Sequence, residues 1–122
     1  MIYGSSSRSL ESMSALDDVF DDELVHVVFR HDRDGVFRVR IGELPTVVTI
    51  RLKKRATIRG RVEYTTSHII HTPIQGHPYR TSVTFGDDRP SAVANALLDL
   101  TLFYREATRD GHRPQTDWLV PC

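Results

Sequence analysis

The sequence predicts an α+β fold: an antiparallel β-sheet of about five to six strands, followed by a C-terminal helix packing on one face and a short tail helix or segment. Three observations predict it. Between Leu24 and Phe85 the chain repeatedly alternates apolar and polar residues between turn signals, the period of strands with one buried face. From Asp87 to Gly111 the apolar period changes to that of a helix. Strands that precede a helix, rather than alternating with helices, indicate an antiparallel sheet with the helix on one side.

Taken in order, residues 1–22 are rich in Ser and acids, with Leu10, Met13, Leu16, Val19 and Phe20 at loosely helical spacing, and read as an arm with at most a short helix. Leu24 to Phe29 is β-branched and aromatic, hence a strand, and His31-Asp32-Arg33-Asp34-Gly35 is a hairpin turn. In the strand Val36 to Ile41, Phe37, Val39 and Ile41 face one way and Arg38 and Arg40 the other. After the turn Gly42-Glu43-Leu44-Pro45, the strand Thr46 to Leu52 points Val48, Ile50 and Leu52 inward and Thr49 and Arg51 outward. Beyond Lys53-Lys54-Arg55, the strand Thr57 to Thr65 repeats the pattern, with Ile58, Val62 and Tyr64 inward, Thr57, Arg59, Arg61 and Glu63 outward, and Gly60 as the mark of a bulge. Residues 66–78 begin as a continuing strand and become a loop at Pro73, Gly76 and Pro78. Tyr79 to Phe85 is the last expected strand, with Tyr79, Thr81, Val83 and Phe85 inward and Arg80 outward.

The helix carries Val93, Ala96, Leu97, Leu100, Phe103, Tyr104 and Ala107 on one stripe. Asp88 suits its N-cap, Pro90 its first turn, Arg105 and Arg109 its carboxyl end, and Gly111 its termination. Leu98 and Leu102 point away from the stripe and imply a second apolar contact. The tail, His112 to Cys122, holds Trp118, Leu119 and Val120 between prolines and reads as a short helix or an extended segment.

With 122 residues, the chain is expected to form a single domain, 1–122. Its apolar runs are too short to span a membrane, and its amino terminus lacks the basic and apolar regions of a secretory signal. Cys122, the one cysteine, has no partner for an internal disulfide. Sixteen basic and sixteen acidic side chains balance, but unevenly: residues 1–35 carry three Arg against eight acids, and residues 36–80 carry nine Lys or Arg against two. A basic middle segment calls for an anionic partner, or for neutralisation by the acidic arm.

Five strands at about 4.8 Å spacing make a sheet roughly 20 Å wide, whereas one helix covers about 10 Å. The uncovered area is buried either by the same helix of a second copy or by the arm and the Trp118 segment. The homodimer is the reading adopted, with Leu98, Leu102 and Phe103 as its interface. On the opposite face, Arg interspersed with Thr suits phosphate, since guanidinium forks bind it bidentately; the alternative is an ordinary solvated face. His68 and His71 have the spacing of a metal pair, but in a strand they point to opposite faces, so no metal is expected. No Ser, His or Asp lies in a nucleophile context, so no enzyme, no cofactor and no small-molecule substrate is expected.

The chain resembles the coat proteins of the small single-stranded RNA phages. The resemblance rests on the order of elements from residue 46 to 122, on the basic strand Thr57-Ile58-Arg59-Gly60-Arg61-Val62-Glu63-Tyr64, on the passage Val83-Thr84-Phe85-Gly86-Asp87-Asp88, and on Asp110-Gly111-His112-Arg113-Pro114 after the helix. It implies interlocked homodimers that join their sheets edge to edge and close into an icosahedral shell, located in the virion and, during assembly, in the host cytoplasm. It also implies RNA-binding positions at Thr49, Arg51, Lys53, Thr57, Arg59, Arg61 and Arg80. The loop Ile70 to Pro78 would meet neighbours around the symmetry axes. The function expected is thus an RNA-binding structural coat protein. The alternatives are a non-capsid single-stranded nucleic-acid-binding or repressor protein and a small inhibitor that docks on an acidic partner.

Overall fold

The computed structural model describes residues 15–53 and 61–122. Residues 15–20 are helical (α1) and lead into the hairpin of β1 (Val25–His31) and β2 (Val36–Ile41). Then come β3 (Val48–Leu52), β4 (Val62–Thr66), β5 (His68–Ile70) and the two-residue β6 (Phe85–Gly86). The chain continues into the long helix α2 (Arg89–Arg109), a 3-10 turn (Thr116–Trp118) and β7 (Leu119–Pro121). Five strands form an antiparallel sheet in the order β1-β2-β3-β4-β6, and β5 pairs with β7 in a separate ribbon. The chain is therefore α+β, an antiparallel sheet with a C-terminal helix on one face.

The alternation in β2 and β3 places Phe37, Val39, Ile41, Val48, Ile50 and Leu52 in the core. From the facing helix, Ala92, Val93, Ala96, Leu97, Leu100, Tyr104 and Ala107 meet them. Asp88 caps the helix, its Oδ1 accepting the Ser91 amide at 2.8 Å. The strand-to-helix passage is tight: a Cβ added to Gly86 would stand 2.3 Å from the Ala92 nitrogen, so only glycine lets β6 run this close to the first helical turn. At Gly42, φ is +53°, and a Cβ would stand 2.1 Å from the Tyr104 hydroxyl, which accepts the Glu43 amide.

Cover for the rest of the sheet comes from the chain's own ends. Leu16 and Phe20 of α1 are buried, with Phe20 against Phe37 at 5.3 Å between ring centroids. Trp118 and Leu119 are buried too, with Trp118 edge-on to Tyr104 at 5.6 Å. Sheet width therefore needs no second copy to explain it. The outer side of α2 stays exposed, with Leu98 at 54% and Leu102 at 37%.

Three expectations are corrected. The strand expected over Tyr79 to Phe85 is reduced to Phe85–Gly86. Thr81 explains the break, because its Oγ1 accepts the Val83 amide at 3.1 Å and donates to the Val83 carbonyl at 3.2 Å, a local alternative to the ladder. Phe85, expected inward, pairs with Glu63 and so shares the outward face. Beyond Thr66, residues 67–70 do not prolong β4: the chain breaks at Ser67, and β5 leaves the main sheet to pair with the tail. The expected strand start at Thr57 lies outside the described residues, and within them β4 begins at Val62.

Candidate nucleic-acid interface

Paired residues in an antiparallel sheet share a face, so the pairings lay out the surface opposite α2 row by row. One row joins His26 and Arg40; the next joins Phe29, Arg38 and Thr49. A third runs through His31, Val36, Arg51 and Thr65. The last holds Lys53, whose amide bonds to the Glu63 carbonyl, then Glu63 and Phe85. Arg38, Arg40 and Arg51, all exposed, thus stand on two neighbouring central strands of one open face.

Phe29 is not legible in the sequence as part of this face. A register shift between Val27 and Phe29 inserts an extra residue, after which Phe29 turns outward and Arg30 inward. Arg38 lies over the Phe29 ring at 5.3 Å, and Arg61 over Phe85 at 4.3 Å. The signal in the sequence is the unbroken apolar run Val27-Val28-Phe29, which fits neither face of an alternating strand.

The expected RNA-binding residues divide into three groups. Thr49 and Arg51 lie on the open face, and Arg61 lies at its margin over Phe85. Lys53 also lies there, but its Nζ is 3.3 Å from Glu63 Oε2, so its charge is largely offset locally. Arg80 is exposed on the segment beside β4 and is itself in no strand. Thr57 and Arg59 lie outside the described residues. Arg38 and Arg40 carry the face equally and belong with the set.

Neutralisation by the acidic arm is not what the described residues display. Asp17 pairs with Arg30 at 2.7 Å, and Asp22 pairs with Arg105. The Arg105 guanidinium holds the Asp22 carboxyl below the usual value. Arg38, Arg40, Arg51 and Arg80 have no ion pair among the described residues.

On the helix side, Phe103 packs edge-on to Tyr79 at 5.2 Å within the chain, which leaves Leu98 and Leu102 as the exposed members of the expected dimer interface. His68 bonds to Ser67 Oγ at 2.7 Å and His71 to the Gln75 carbonyl at 3.2 Å. The described residues contain no group of three metal-ligating side chains. No described helix is long and apolar enough to cross a membrane.

A second polar site lies at the edge of β4. The Tyr64 hydroxyl is 2.5 Å from Asp99 Oδ2 and 3.1 Å from the Val83 carbonyl oxygen. It has one proton for two acceptors. Burial raises the Asp99 carboxyl above its ordinary value, and burial with the nearby carboxylate raises the Tyr64 phenol. The sequence gives no sign of this pair, because Asp99 and Tyr64 are 35 residues apart.

The fold and this face define an α+β domain with one sheet surface open and arginine-rich. Comparison with protein-family models, with curated proteins and with solved structures returns no match.

Proposed function

We propose that the chain is an RNA-binding structural protein of the coat type, a homodimer that assembles into a closed shell around single-stranded RNA in the virion. The observation that carries this reading is the cluster of Arg38, Arg40 and Arg51 on one open face without ion pairs among the described residues. Guanidinium groups on a flat, uncovered sheet engage backbone phosphates without reading bases. Phe29, 43% exposed beside Arg38, adds a surface on which a base stacks. Leu98 and Leu102 supply the apolar patch through which two copies join, helix to helix.

Phe29 and Phe85 beside arginines also favour a second reading, a single-stranded nucleic-acid-binding protein that never forms shells. Expression followed by size-exclusion chromatography, absorbance at 260 and 280 nm and negative-stain microscopy separates the two. Uniform particles containing nucleic acid are the outcome expected of a coat protein. A small species that binds added RNA supports the second reading, and one that ignores RNA overturns both.

A further inference from the structure

Because residues 79–84 do not pair continuously with β4, a half-open cleft of about 260 Å³ remains between that segment, β4 and α2. Tyr64 and Asp99 line it from the helix side of the sheet. Tyr79 and Leu100 add apolar wall, and Lys53 and Arg80 add positive charge. Glu63, which also lines the cleft, takes up Lys53 and leaves Arg80 as the cation without an ion pair among the described residues.

These groups exclude most simple occupants. A lipid tail would desolvate Asp99, Lys53 and Arg80 without bonding to them. An organic amine would face Arg80 and Lys53. A bare phosphate would fill a fraction of the space, since a water takes about 30 Å³, and would meet the Asp99 carboxyl. Small-molecule sites begin at about 300 Å³, so the cleft suits one small ligand and nothing larger. The ligand that complements Arg80, Tyr79 and Asp99 together is anionic at one end and offers a hydrogen-bond donor on a flat ring at the other.

We propose that the cleft binds a single nucleoside monophosphate unit, its phosphate on Arg80, its ring against Tyr79 and Leu100, and an exocyclic amino group donating to Asp99. An amino-bearing base, adenine, cytosine or guanine, is therefore favoured over uracil, whose one edge donor, N3–H, lies between two carbonyl oxygens that would face the Asp99 carboxyl. The unit is a bound ligand and undergoes no reaction. Its source is either the free mononucleotide or one unstacked residue of a strand. Lys53, Glu63 and Thr65 line the cleft and also belong to the rows of the open face, so a strand lying there has a path into it. The site stands on the cleft's own geometry and does not depend on the coat reading.

The test is titration of the ¹⁵N-labelled full chain with AMP, CMP, GMP, UMP and inorganic phosphate, followed by amide shifts. Saturable shifts at Thr66, Thr81 and Asp99, strongest with the amino-bearing nucleotides, are expected. Asp99→Asn and Arg80→Ala each weaken binding by about tenfold; Arg80 is exposed, so its variant keeps the fold even if Asp99→Asn disturbs it. Shifts that are absent at millimolar ligand, equal for phosphate and all four nucleotides, or unchanged in Arg80→Ala overturn the proposal. Given a saturable site, displacement of AMP by an oligoribonucleotide assigns the site to a strand residue, and retention assigns it to the free nucleotide. An RNA interaction that fails while AMP still binds separates this inference from the proposed function.

Discussion

Replacing Arg38 and Arg51 with Ala removes, from the centre of the open face, two of the three arginines that have no ion pair among the described residues. Each phosphate neutralised on a single strand contributes about −0.7 to the slope of log K against log salt. Three contacts give a slope of roughly −2, so affinity falls roughly 20-fold between 50 and 200 mM salt. With Arg40 remaining, the slope is about −0.7 and the same interval costs about threefold. Stability is little affected. Both side chains are exposed, and the stacking of Arg38 on Phe29 is worth only about 0.5–1 kcal/mol. Fluorescence anisotropy with a labelled oligoribonucleotide at four salt concentrations measures both slopes. Arg109→Ala, exposed at the end of α2 on the other side of the sheet, serves as control and leaves the slope unchanged. Parallel lines for the wild type and the double variant would refute phosphate binding by this face.

Leu98→Asp places a charge in the proposed helix-to-helix contact, and sedimentation equilibrium should show a folded monomer where the wild type is dimeric; a dimer that survives refutes the contact. Gly86→Ala drives a Cβ into the backbone of Ser91 and Ala92 and costs about 1–3 kcal/mol or more, read as a lower midpoint of thermal unfolding, and an unchanged midpoint would contradict the close passage. Asp22 is depressed by Arg105, so its stabilising contribution is complete above the ordinary value of 3.8 and fades as pH falls through the lower folded value. Unfolding of the wild type and Asp22→Asn should accordingly differ at neutral pH and converge in acid; a constant difference rules out the titration.

Legibility follows the distance over which each feature is decided. The strands β2 and β3 and the stripe of α2 are readable because alternation and helical period are local and burial acts on them directly. Asp88, Pro90 and Gly111 mark the helix ends for the same reason. Residues 79–84 alternate as well as any strand, yet the Thr81 hydroxyl binds the Val83 backbone, an outcome period alone does not foresee. Pairing of the tail with β5 joins His68 to Pro121, a partnership no window can contain. Of the face itself, Arg38, Arg40, Thr49 and Arg51 follow from parity. Phe29 and Phe85 do not, the one because of a bulge and the other because its strand is two residues long.

The bulge at Val27 to Phe29 works as a parity inverter. Side chains along a strand obey a two-step count, and one surplus residue exchanges the faces of everything beyond it. Upstream of it, Val25 keeps its place opposite Ile41 in the core; downstream, Phe29 is delivered to the arginine rows and Arg30 to Asp17 and Phe20. Were Val28 instead paired opposite Arg38 in a regular ladder without the bulge, Phe29 would fall under the sheet and Arg30 on the open surface. Arg38 would then be without its aromatic partner and α1 without its anchor, both in one step. A single apolar residue, itself 52% exposed, thus sets the chemical identity of both sides of the sheet's edge.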